Sequence, residues 1–227
     1  MIGLKLIFCI VFGYLVGGIN PSYIVGRLRG FDIRQRGSGN AGASNAVIVM
    51  GKLVGIGSAL FDILKAAAVV WLAPVFLRGT PFAAEIAGVS CIFGHVFPIY
   101  MRFRGGKGLA CLGGVLLAVD FRLLLILLGI EILLILLFDY ICVCPLTASV
   151  IIPFLYGILG DGGFGCLLNA KGGWWGAGII ALGCILVFCK HIGNLKRIKN
   201  GTELHLSYFW NKNKDEELAR VQKNMKK

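Results

Sequence analysis

Charged residues are scarce in this sequence of 227 residues. Asp, Glu, Lys and Arg make up only 15% of the chain, whereas 57% of its residues are hydrophobic and the mean hydropathy is +0.82. A soluble domain carries about 25% charged residues. Because so few polar side chains cannot cover the surface of a soluble domain, the composition excludes that class and predicts a polytopic membrane protein.

Acidic residues are the scarcer of the two charged kinds. The chain has 11 Asp and Glu against 23 Lys and Arg, which gives a formal net charge of +12. In a soluble protein this excess would suggest a nucleic-acid partner, but the hydropathy overrules that interpretation and we expect no nucleic-acid binding. In a membrane protein the cations indicate orientation, and they attract anionic lipids or anionic substrates.

Several chemical motifs are missing as well. The eight cysteines form no C-x-x-C pair, and the three histidines lack metal-ligand spacing and an accompanying carboxylate cluster. We therefore expect neither a metal nor another cofactor. Lys107 lies among glycines, yet Gly108 stands where a Walker A loop needs Ser or Thr, so the sequence disfavours nucleotide hydrolysis.

Long apolar stretches predict an all-α integral membrane protein with about seven transmembrane helices and Gly-rich cytoplasmic loops. The longer stretches are residues 4–25, 53–77, 82–101, 123–138, 146–159 and 173–189. Residues 109–119 form a further, short stretch that either crosses with the help of its flanks or is re-entrant. We expect residues 1–205 to form a single membrane domain and residues 206–227 a basic cytoplasmic tail.

The distribution of cations predicts the orientation of the chain. Lys and Arg cluster in three segments. The first follows the first span, the second follows the third span, and the third extends from Lys190 to Lys227. The clusters fall on one side only if seven crossings are counted, about one per apolar stretch, with the N-terminus outside. The positive-inside rule then places all three segments and the C-terminus in the cytoplasm.

The first basic segment contains a stretch rich in Ser and Gly, residues 37–45, here called the serine loop. Its alternating glycines allow successive backbone N–H groups to point into one concavity, and Ser38, Asn40 and Asn45 add polar side chains. A loop of this kind that opens into a helix can bind phosphate. The alternative is a flexible turn between spans.

The second segment contains His95 and, further along, residues 105–108, here called the lysine loop. Three glycines surround Lys107 at the start of an apolar stretch, which offers a point charge and backbone N–H groups to a phosphate. The alternatives are an anchor that follows the positive-inside rule for Lys107 and a core imidazole for His95.

The third segment begins where the last span leaves the membrane. On a helix, His191 and Asn194 lie on the same face, so both side chains would point in one direction. The alternative is an amphipathic interfacial helix with its cations at the level of the lipid headgroups.

Few charges lie within the apolar stretches themselves. Asp62 and Lys65 are three residues apart, so we expect a structural ion pair that lowers the cost of burying each charge. Glu131 stands alone among Leu and Ile, and we expect it to pack against a donor on a neighbouring helix.

The three segments resemble the signature motifs of the PlsY-type acyl-phosphate:glycerol-3-phosphate acyltransferases, small bacterial membrane enzymes of phospholipid synthesis. The matching stretches are GSGNAGASN at 37–45, GHVFP at 94–98, FRGGKGLA at 103–110, HIGNLKR at 191–197 and GTE at 201–203. The resemblance covers almost the whole chain up to His205, with the motifs in order and at the family's spacing.

The resemblance implies transfer of a fatty acyl group from acyl phosphate to the 1-hydroxyl of sn-glycerol 3-phosphate, which gives lysophosphatidic acid and phosphate. It also implies the bacterial inner membrane as location and an upstream enzyme that forms acyl phosphate as a partner. Together with the patterns above it gives three groups of candidate residues: catalytic Ser38, His191 and Asn194; phosphate-binding Gly37, Gly39, Asn40, Asn45, His95, Gly105, Gly106, Lys107 and Gly108; and structural Glu203, Asp62 and Lys65.

One position departs from the family's first motif. The family usually carries arginine three residues after the last Asn of that motif, and this chain has Ile48. Two alternatives stay open beside the enzyme, and the second of them follows from Ile48. One is an organic-anion transporter, which would also use basic loops at one membrane face. The other is a catalytically impaired homologue.

An acyl phosphate is a mixed anhydride with a good leaving group, so it requires no covalent nucleophile on the protein. We expect direct attack of the glycerol hydroxyl on the acyl carbonyl, helped by proximity and by donors that stabilise the oxyanion. His191 and a phosphate oxygen of a substrate are the candidate bases. Ser38 is less favoured as a nucleophile because no basic partner lies at a recognisable spacing.

Overall fold

The computed structural model describes residues 2–159, 173–203 and 205, and within these ranges the chain forms helices and no strand. The helices are α1 (Ile2–Gly18), α2 (Pro21–Leu28), α3 (Ala43–Met50), α4 (Lys52–Phe76), α5 (Ala83–Val96), α6 (Leu109–Val119), α7 (Phe121–Phe138), α8 (Val143–Leu159) and α9 (Gly173–Lys199). Short 3-10 turns lie at Ile33–Gln35 and Ile99–Met101. The predicted all-α class is confirmed.

Several of these helices are long and apolar enough to cross a membrane. In the described ranges they number four, α4, α5 with its following turn, α7 and α9, or five when the bent pair of α1 and α2 counts as one span. Helices α6 and α8 are apolar but shorter. Length and composition thus give fewer spans than the sequence predicts, and the count of about seven stays a prediction. The predicted tail, residues 206–227, lies outside the described residues.

The first predicted span, residues 4–25, is built from two helices, α1 and α2. The axis bends by 41° between α1 and α2. Asn20 has an extended backbone (φ −120°, ψ 103°), and its side-chain oxygen accepts a hydrogen bond from the N–H of Tyr23 at 2.9 Å. Pro21 disfavours the helical conformation in the residue before it, and Asn20 caps the helix that starts anew.

Glycines bring α1 and α5 into direct backbone contact. Gly13 and Gly17 lie four residues apart on α1, and a Cβ at either position would overlap a backbone carbonyl of α5. From the other side, a Cβ at Gly94 would overlap the carbonyl of Tyr14. Small residues at this spacing allow two helices to approach closely in lipid.

Helix α5 lies at the centre of the molecule and packs against α1, α4, α6 and α9. Buried polar pairs support the helices further from the loops. The Thr147 hydroxyl of α8 donates to the Glu131 carboxylate of α7 at 2.7 Å, which confirms the expected donor on a neighbouring helix. The Tyr156 hydroxyl of α8 donates to Glu85 of α5, also at 2.7 Å.

Candidate active site

The serine loop is shaped by the amide of Asn45. Its nitrogen lies within 2.8–3.1 Å of three backbone carbonyls of the surrounding chain, and its oxygen accepts from the N–H of Ser38 at 2.8 Å. Gly37 has a φ of +58°, and a Cβ there would overlap the Asn45 oxygen. A glycine is therefore required at that position. The buried Asn45 amide is committed to holding the loop.

Of the other residues in the serine loop, Asn40 supports the backbone, whereas Ser38 and Gly39 are exposed. The Asn40 side-chain oxygen accepts from the N–H of Gly42 at 2.8 Å, just before α3 begins. Ser38 and Gly39 are exposed, and Gly39 has a φ of +73°. The loop therefore presents the Ser38 hydroxyl outward while Asn40 supports the backbone.

Arg34 ties the serine loop to the segment that leads into the lysine loop. Its guanidinium pairs with Asp32 at 2.7 Å and donates to the carbonyl of Met101 at 2.6 Å. The hydrogen bond from Arg34 lowers the pKa of Asp32 to about 2. Arg34 is thus engaged in structural contacts, and Ile48, where the resemblance leads us to expect arginine, is 51% exposed on α3.

The lysine loop folds back onto the end of α5. The N–H groups of Gly105 and Gly106 donate to the last carbonyls of α5 at 3.1 Å each. Gly108 has a φ of +90° and immediately precedes α6, a conformation that L side chains rarely adopt. Two of the loop's N–H groups therefore hold the loop in place, and Lys107 lies beside the N-terminus of α6.

Lys107 connects the lysine loop to the third segment. Its ammonium donates to the amide oxygen of Asn194 at 2.6 Å, and the Asn194 nitrogen donates to Glu203 at 2.7 Å. Arg197 holds the other carboxylate oxygen of Glu203 at 2.6 Å. Glu203 thus orients Asn194 with its oxygen toward Lys107. Burial, together with the charge of Arg197, lowers the pKa of Lys107 below that of an ordinary lysine.

His191 lies one turn before Asn194 on α9, and both are buried on the same side of the helix. This agrees with the shared face that their spacing predicts. The His191 Nδ1 lies 2.8 Å from the carbonyl oxygen of Val187. A carbonyl oxygen only accepts, so Nδ1 carries the hydrogen, and the Nε2 of the neutral ring keeps a lone pair.

A buried ion cluster lies behind the lysine loop. The predicted pair is confirmed, with the Lys65 ammonium 2.6 Å from the Asp62 carboxylate. The same ammonium donates to the carbonyl of Ile19 at 2.6 Å and lies 3.2 Å from Nδ1 of His95. His95 is only 3% exposed, and its Nδ1 lies 3.3 Å from Asp62. The sequence did not indicate that His95 joins this pair, because α4 and α5 are separate in the chain.

The same cluster includes a set of potential metal ligands. Among the residues that the structure describes, the side chains of Asp62, His95 and Cys111 place their ligand atoms within 4.8 Å of one another. The Lys65 ammonium already lies against two of these three groups. The chain thus supplies its own cation beside Asp62 and His95.

Sequence reasoning missed two residues that join the segments. The contacts of Arg34 were not predicted, although Asp32 two residues earlier is a signal for local pairing. The Tyr100 hydroxyl donates to the carbonyl of Gly18 and accepts from the N–H of Asn20 at 3.1 Å, which links the break after α1 to the second segment. The three basic segments therefore meet at one end of the helices, through Arg34 and Tyr100 on one side and Lys107 on the other.

The chain is similar in sequence to glycerol-3-phosphate acyltransferases. A family model described as glycerol-3-phosphate acyltransferase matches residues 7–201. Glycerol-3-phosphate acyltransferase 1 of Oceanobacillus iheyensis is 38% identical over 210 residues, which cover 88% of this chain and 94% of that protein. The glycerol-3-phosphate acyltransferase of Mesorhizobium japonicum is 35% identical over 199 residues, with 87% and 94% covered.

Two crystal structures of PlsY, an integral membrane glycerol 3-phosphate acyltransferase, are similar in fold. The glycerol 3-phosphate form superposes with a TM-score of 0.75 at 26% identity and covers 90% of this chain and 96% of that chain. The lysophosphatidic acid form gives a TM-score of 0.72 at 26% identity, with 88% and 94% covered. These matches confirm the resemblance carried by the three motifs. The chain therefore belongs to the glycerol-3-phosphate acyltransferase family and is an integral membrane acyltransferase.

Proposed function

We propose that this protein transfers a fatty acyl group from acyl phosphate to the 1-hydroxyl of sn-glycerol 3-phosphate and releases lysophosphatidic acid and inorganic phosphate. The observation that carries the proposal is the 2.6 Å contact between Lys107 and Asn194, which brings a cation to the polar face of α9 beside His191. The forms in which PlsY was crystallised, with glycerol 3-phosphate and with lysophosphatidic acid, support the acceptor and the product.

Both proposed substrates carry phosphate, and the two loops offer different means of binding it. In the proposal, Lys107 binds the phosphate of glycerol 3-phosphate with its ammonium, aided by the N-terminus of α6. The exposed serine loop receives the head of acyl phosphate through the Ser38 hydroxyl, because the N–H groups of Ser38, Gly39 and Gly42 already donate to neighbouring residues. The fatty chain adds about 0.8 kcal/mol per buried methylene, much of which the lipid already supplies. The chain therefore localises the donor, and the loops align the two heads.

The proposed reaction is a direct displacement at the acyl carbon. The glycerol hydroxyl oxygen forms a bond to the carbonyl carbon, and the bond from that carbon to the phosphate oxygen breaks. The phosphate leaves with the bonding electron pair, and the hydroxyl proton passes to a base and then to solvent or the departing phosphate. Donors around the carbonyl oxygen stabilise its developing charge, which is commonly the largest catalytic term. No acyl-enzyme and no cofactor takes part.

His191 is the proposed base from the protein. Its Nδ1 is held by the carbonyl of Val187, so Nε2 is the atom that accepts a proton. A phosphate oxygen of a substrate is the competing base. Replacing His191 with Ala distinguishes them: a large loss of kcat with little change in KM identifies the histidine, whereas retention of most of kcat identifies the substrate phosphate.

Ser38 is proposed to contact the donor without forming a covalent bond to it. Its backbone N–H donates to the side chain of Asn45, and Ser38 is exposed within the serine loop. Ser38→Ala should weaken turnover without a change in the order of substrate use. Isolation of an acylated Ser38 peptide would overturn this assignment.

The proposed orientation of the chain in the membrane rests on its charge distribution. We propose that the chain lies in the bacterial inner membrane with its N-terminus outside and its C-terminus in the cytoplasm, as the cation clusters indicate. Residues 1–205 would then form one catalytic membrane domain with residues 206–227 as a basic tail. An enzyme that makes acyl phosphate is the proposed upstream partner.

Purified protein in detergent tests the function. Release of inorganic phosphate should require both acyl phosphate and glycerol 3-phosphate, and acyl-CoA or acyl carrier protein should not replace the donor. Equal turnover with acyl-CoA would contradict the proposed donor. Uptake of glycerol 3-phosphate into vesicles without turnover would favour the transporter. An inactive natural chain that becomes active as Ile48→Arg would favour the impaired homologue.

A further inference from the structure

The lysine loop rests on a side chain that comes from outside it. A Cβ placed at Gly106 would overlap Nε2 of His95, with Cε1 and Cδ2 of the same ring also within 3.0 Å. The space that a side chain at position 106 would need is thus filled by the face and tip of one imidazole. Gly106 also donates its N–H to the carbonyl of His95 at 3.1 Å. One residue of α5 therefore fixes both sides of Gly106.

The imidazole is itself fixed by the ion cluster. Its Nδ1 lies 3.2 Å from the Lys65 ammonium and 3.3 Å from the Asp62 carboxylate, and all three side chains are buried. Lys65 in turn donates to the free carbonyl of Ile19, where α1 ends. Nδ1 donates to Asp62 when it carries a hydrogen and accepts from Lys65 when it does not, so the ring has a charged partner in either state. The low dielectric of the interior strengthens the hydrogen bond that forms and restricts rotation of the ring.

We propose that the His95 ring supports the lysine loop by packing against Gly106, and we call this support the seat. Contacts with Asp62 and Lys65 hold the ring in place, and we call these contacts the lock. All three are then positioning residues for phosphate binding. The inference rests on the proposed function of the loop. It gives Gly106 a different explanation from the usual one for glycine in a phosphate loop. Position 106 is glycine because His95 fills the space, and not because the phosphate must approach the backbone there.

Neighbouring glycines of the loop provide the contrast. At Gly105 a Cβ would overlap the backbone carbonyl of His95, which remains whatever side chain is present at 95. At Gly108 the φ of +90° strains any L side chain independently of its neighbours. Only the clash at Gly106 is with an imidazole that a substitution removes.

A double-mutant cycle between His95→Ala and Gly106→Ala tests the seat. Gly106→Ala alone should lower kcat/KM by roughly 10²-fold, and the same change in the His95→Ala protein should cost less than about threefold, because contacting residues are not additive. Gly105→Ala and Gly108→Ala are the matched controls, and His95→Ala should rescue neither. An equal loss from Gly106→Ala in both backgrounds would overturn the proposal.

The lock is tested by removing both charges together, as Asp62→Leu with Lys65→Met, which leaves no buried ion without its partner. The KM for glycerol 3-phosphate should rise roughly tenfold while kcat stays within about twofold, because the loop is displaced and the reacting groups are not. Unchanged KM would show that the pair does not position the loop.

Thermal unfolding of the same proteins separates this inference from the proposed function. The His95→Ala and Gly106→Ala cycle should also be non-additive in the unfolding midpoint, with and without glycerol 3-phosphate as the probe. A natural chain that shows no turnover with acyl phosphate would overturn the proposed reaction, yet a non-additive midpoint would still support the seat. An active natural chain with additive effects would overturn the seat alone.

Discussion

Helices α5 and α7 are both apolar enough to cross a membrane, but they differ in what surrounds them. In α5 and its following turn, 72% of the residues in the span are buried inside the protein, against 17% in α7, which is the more apolar of the two. Helix α7 is nearly all Leu and Ile around Glu131. Helix α5 carries glycines, Glu85 and His95, and leads into the lysine loop.

Of these two helices, the one with the higher hydropathy, α7, faces outward toward lipid, and the one with the lower hydropathy, α5, lies in the protein core. A helix that faces lipid uses large apolar side chains, because lipid solvates them at no cost. A helix surrounded by other helices needs small residues for close approach and polar groups whose partners lie on its neighbours. In this chain the helix with the less apolar span leads into the loop to which we assign phosphate binding.

The largest expected effect lies at the loop that follows α5. Lys107→Met removes the cation that we assign to the phosphate of glycerol 3-phosphate, and kcat/KM should fall by roughly 10²-fold or more, the size expected for a lost stabilising donor. Glu131→Met, which also removes one charge but from α7, is the matched control for activity. Equal losses of activity from the two substitutions would contradict a specific role for the loop that follows α5.

The next effect concerns packing, and the two helices offer matched glycines. A Cβ at Gly94 of α5 would overlap the carbonyl of Tyr14, whereas nothing lies within 4 Å of a Cβ at Gly129 of α7. Gly94→Ala should destabilise the protein by about 1–3 kcal/mol through overpacking. Gly129→Ala should stabilise it by about 0.5–1 kcal/mol, because alanine is the better helix former. Thermal unfolding in detergent measures both, and destabilisation by Gly129→Ala would contradict the lipid-facing assignment.

A third effect should appear at low pH in the segment around Asp32, which Arg34 joins to the turn after α5. The pKa of Asp32 is about 2 in the folded protein and near 3.9 in an unfolded chain. Its contribution, on the order of 2 kcal/mol, is therefore complete above pH 4 and is lost as the pH falls from about 4 to 2. The difference in unfolding midpoint between the natural protein and Asp32→Asn should shrink over that window. A difference that stays constant with pH would contradict the pairing with Arg34.

A smaller, pH-dependent effect concerns Lys107 again. Its pKa is lowered by burial and by Arg197, so the ammonium loses its proton at a lower pH than a free lysine. The KM for glycerol 3-phosphate should therefore rise several-fold with increasing pH, and the rise should begin below the pKa of an ordinary lysine, about 10.4. Lys107→Arg should be less active but should show no such rise, because a guanidinium stays protonated in this range. A parallel rise in both proteins would assign the titration to another group.

The smallest effect is expected for the polar pair that α7 makes with α8. Glu131→Gln keeps an oxygen that accepts from Thr147, so the hydrogen bond survives while the charge is removed. Turnover should stay within about twofold of the natural protein, and stability should change by about 1 kcal/mol or less. A large loss of turnover measured at saturating substrate would show that α7 takes part in the chemistry.

Local spacing predicted the features that depend on nearby residues. The pairing of Asp62 with Lys65 and the shared face of His191 and Asn194 both follow from helix geometry, and both are present. The all-α class followed from hydropathy. Hydropathy did not indicate the bend after α1, because the apolar residues on either side of Asn20 and Pro21 form one stretch.

Long-range partners could not be predicted in the same way. The contact of Arg34 with the Met101 carbonyl joins residues 67 positions apart, and the contact of Lys107 with Asn194 joins residues 87 positions apart. Such contacts depend on how helices pack, and periodicity along one helix does not specify its neighbours. The position of His95 behind the lysine loop has the same origin.

We propose that one site in this membrane protein transfers the acyl group of acyl phosphate to glycerol 3-phosphate. A product balance tests this proposal most directly. Inorganic phosphate and lysophosphatidic acid are measured together from purified protein supplied with both substrates. We expect equal amounts of the two products, and both should fall by roughly 10²-fold in the folded Lys107→Met protein. Phosphate released without lysophosphatidic acid, or undiminished products from the folded Lys107→Met protein, would contradict it.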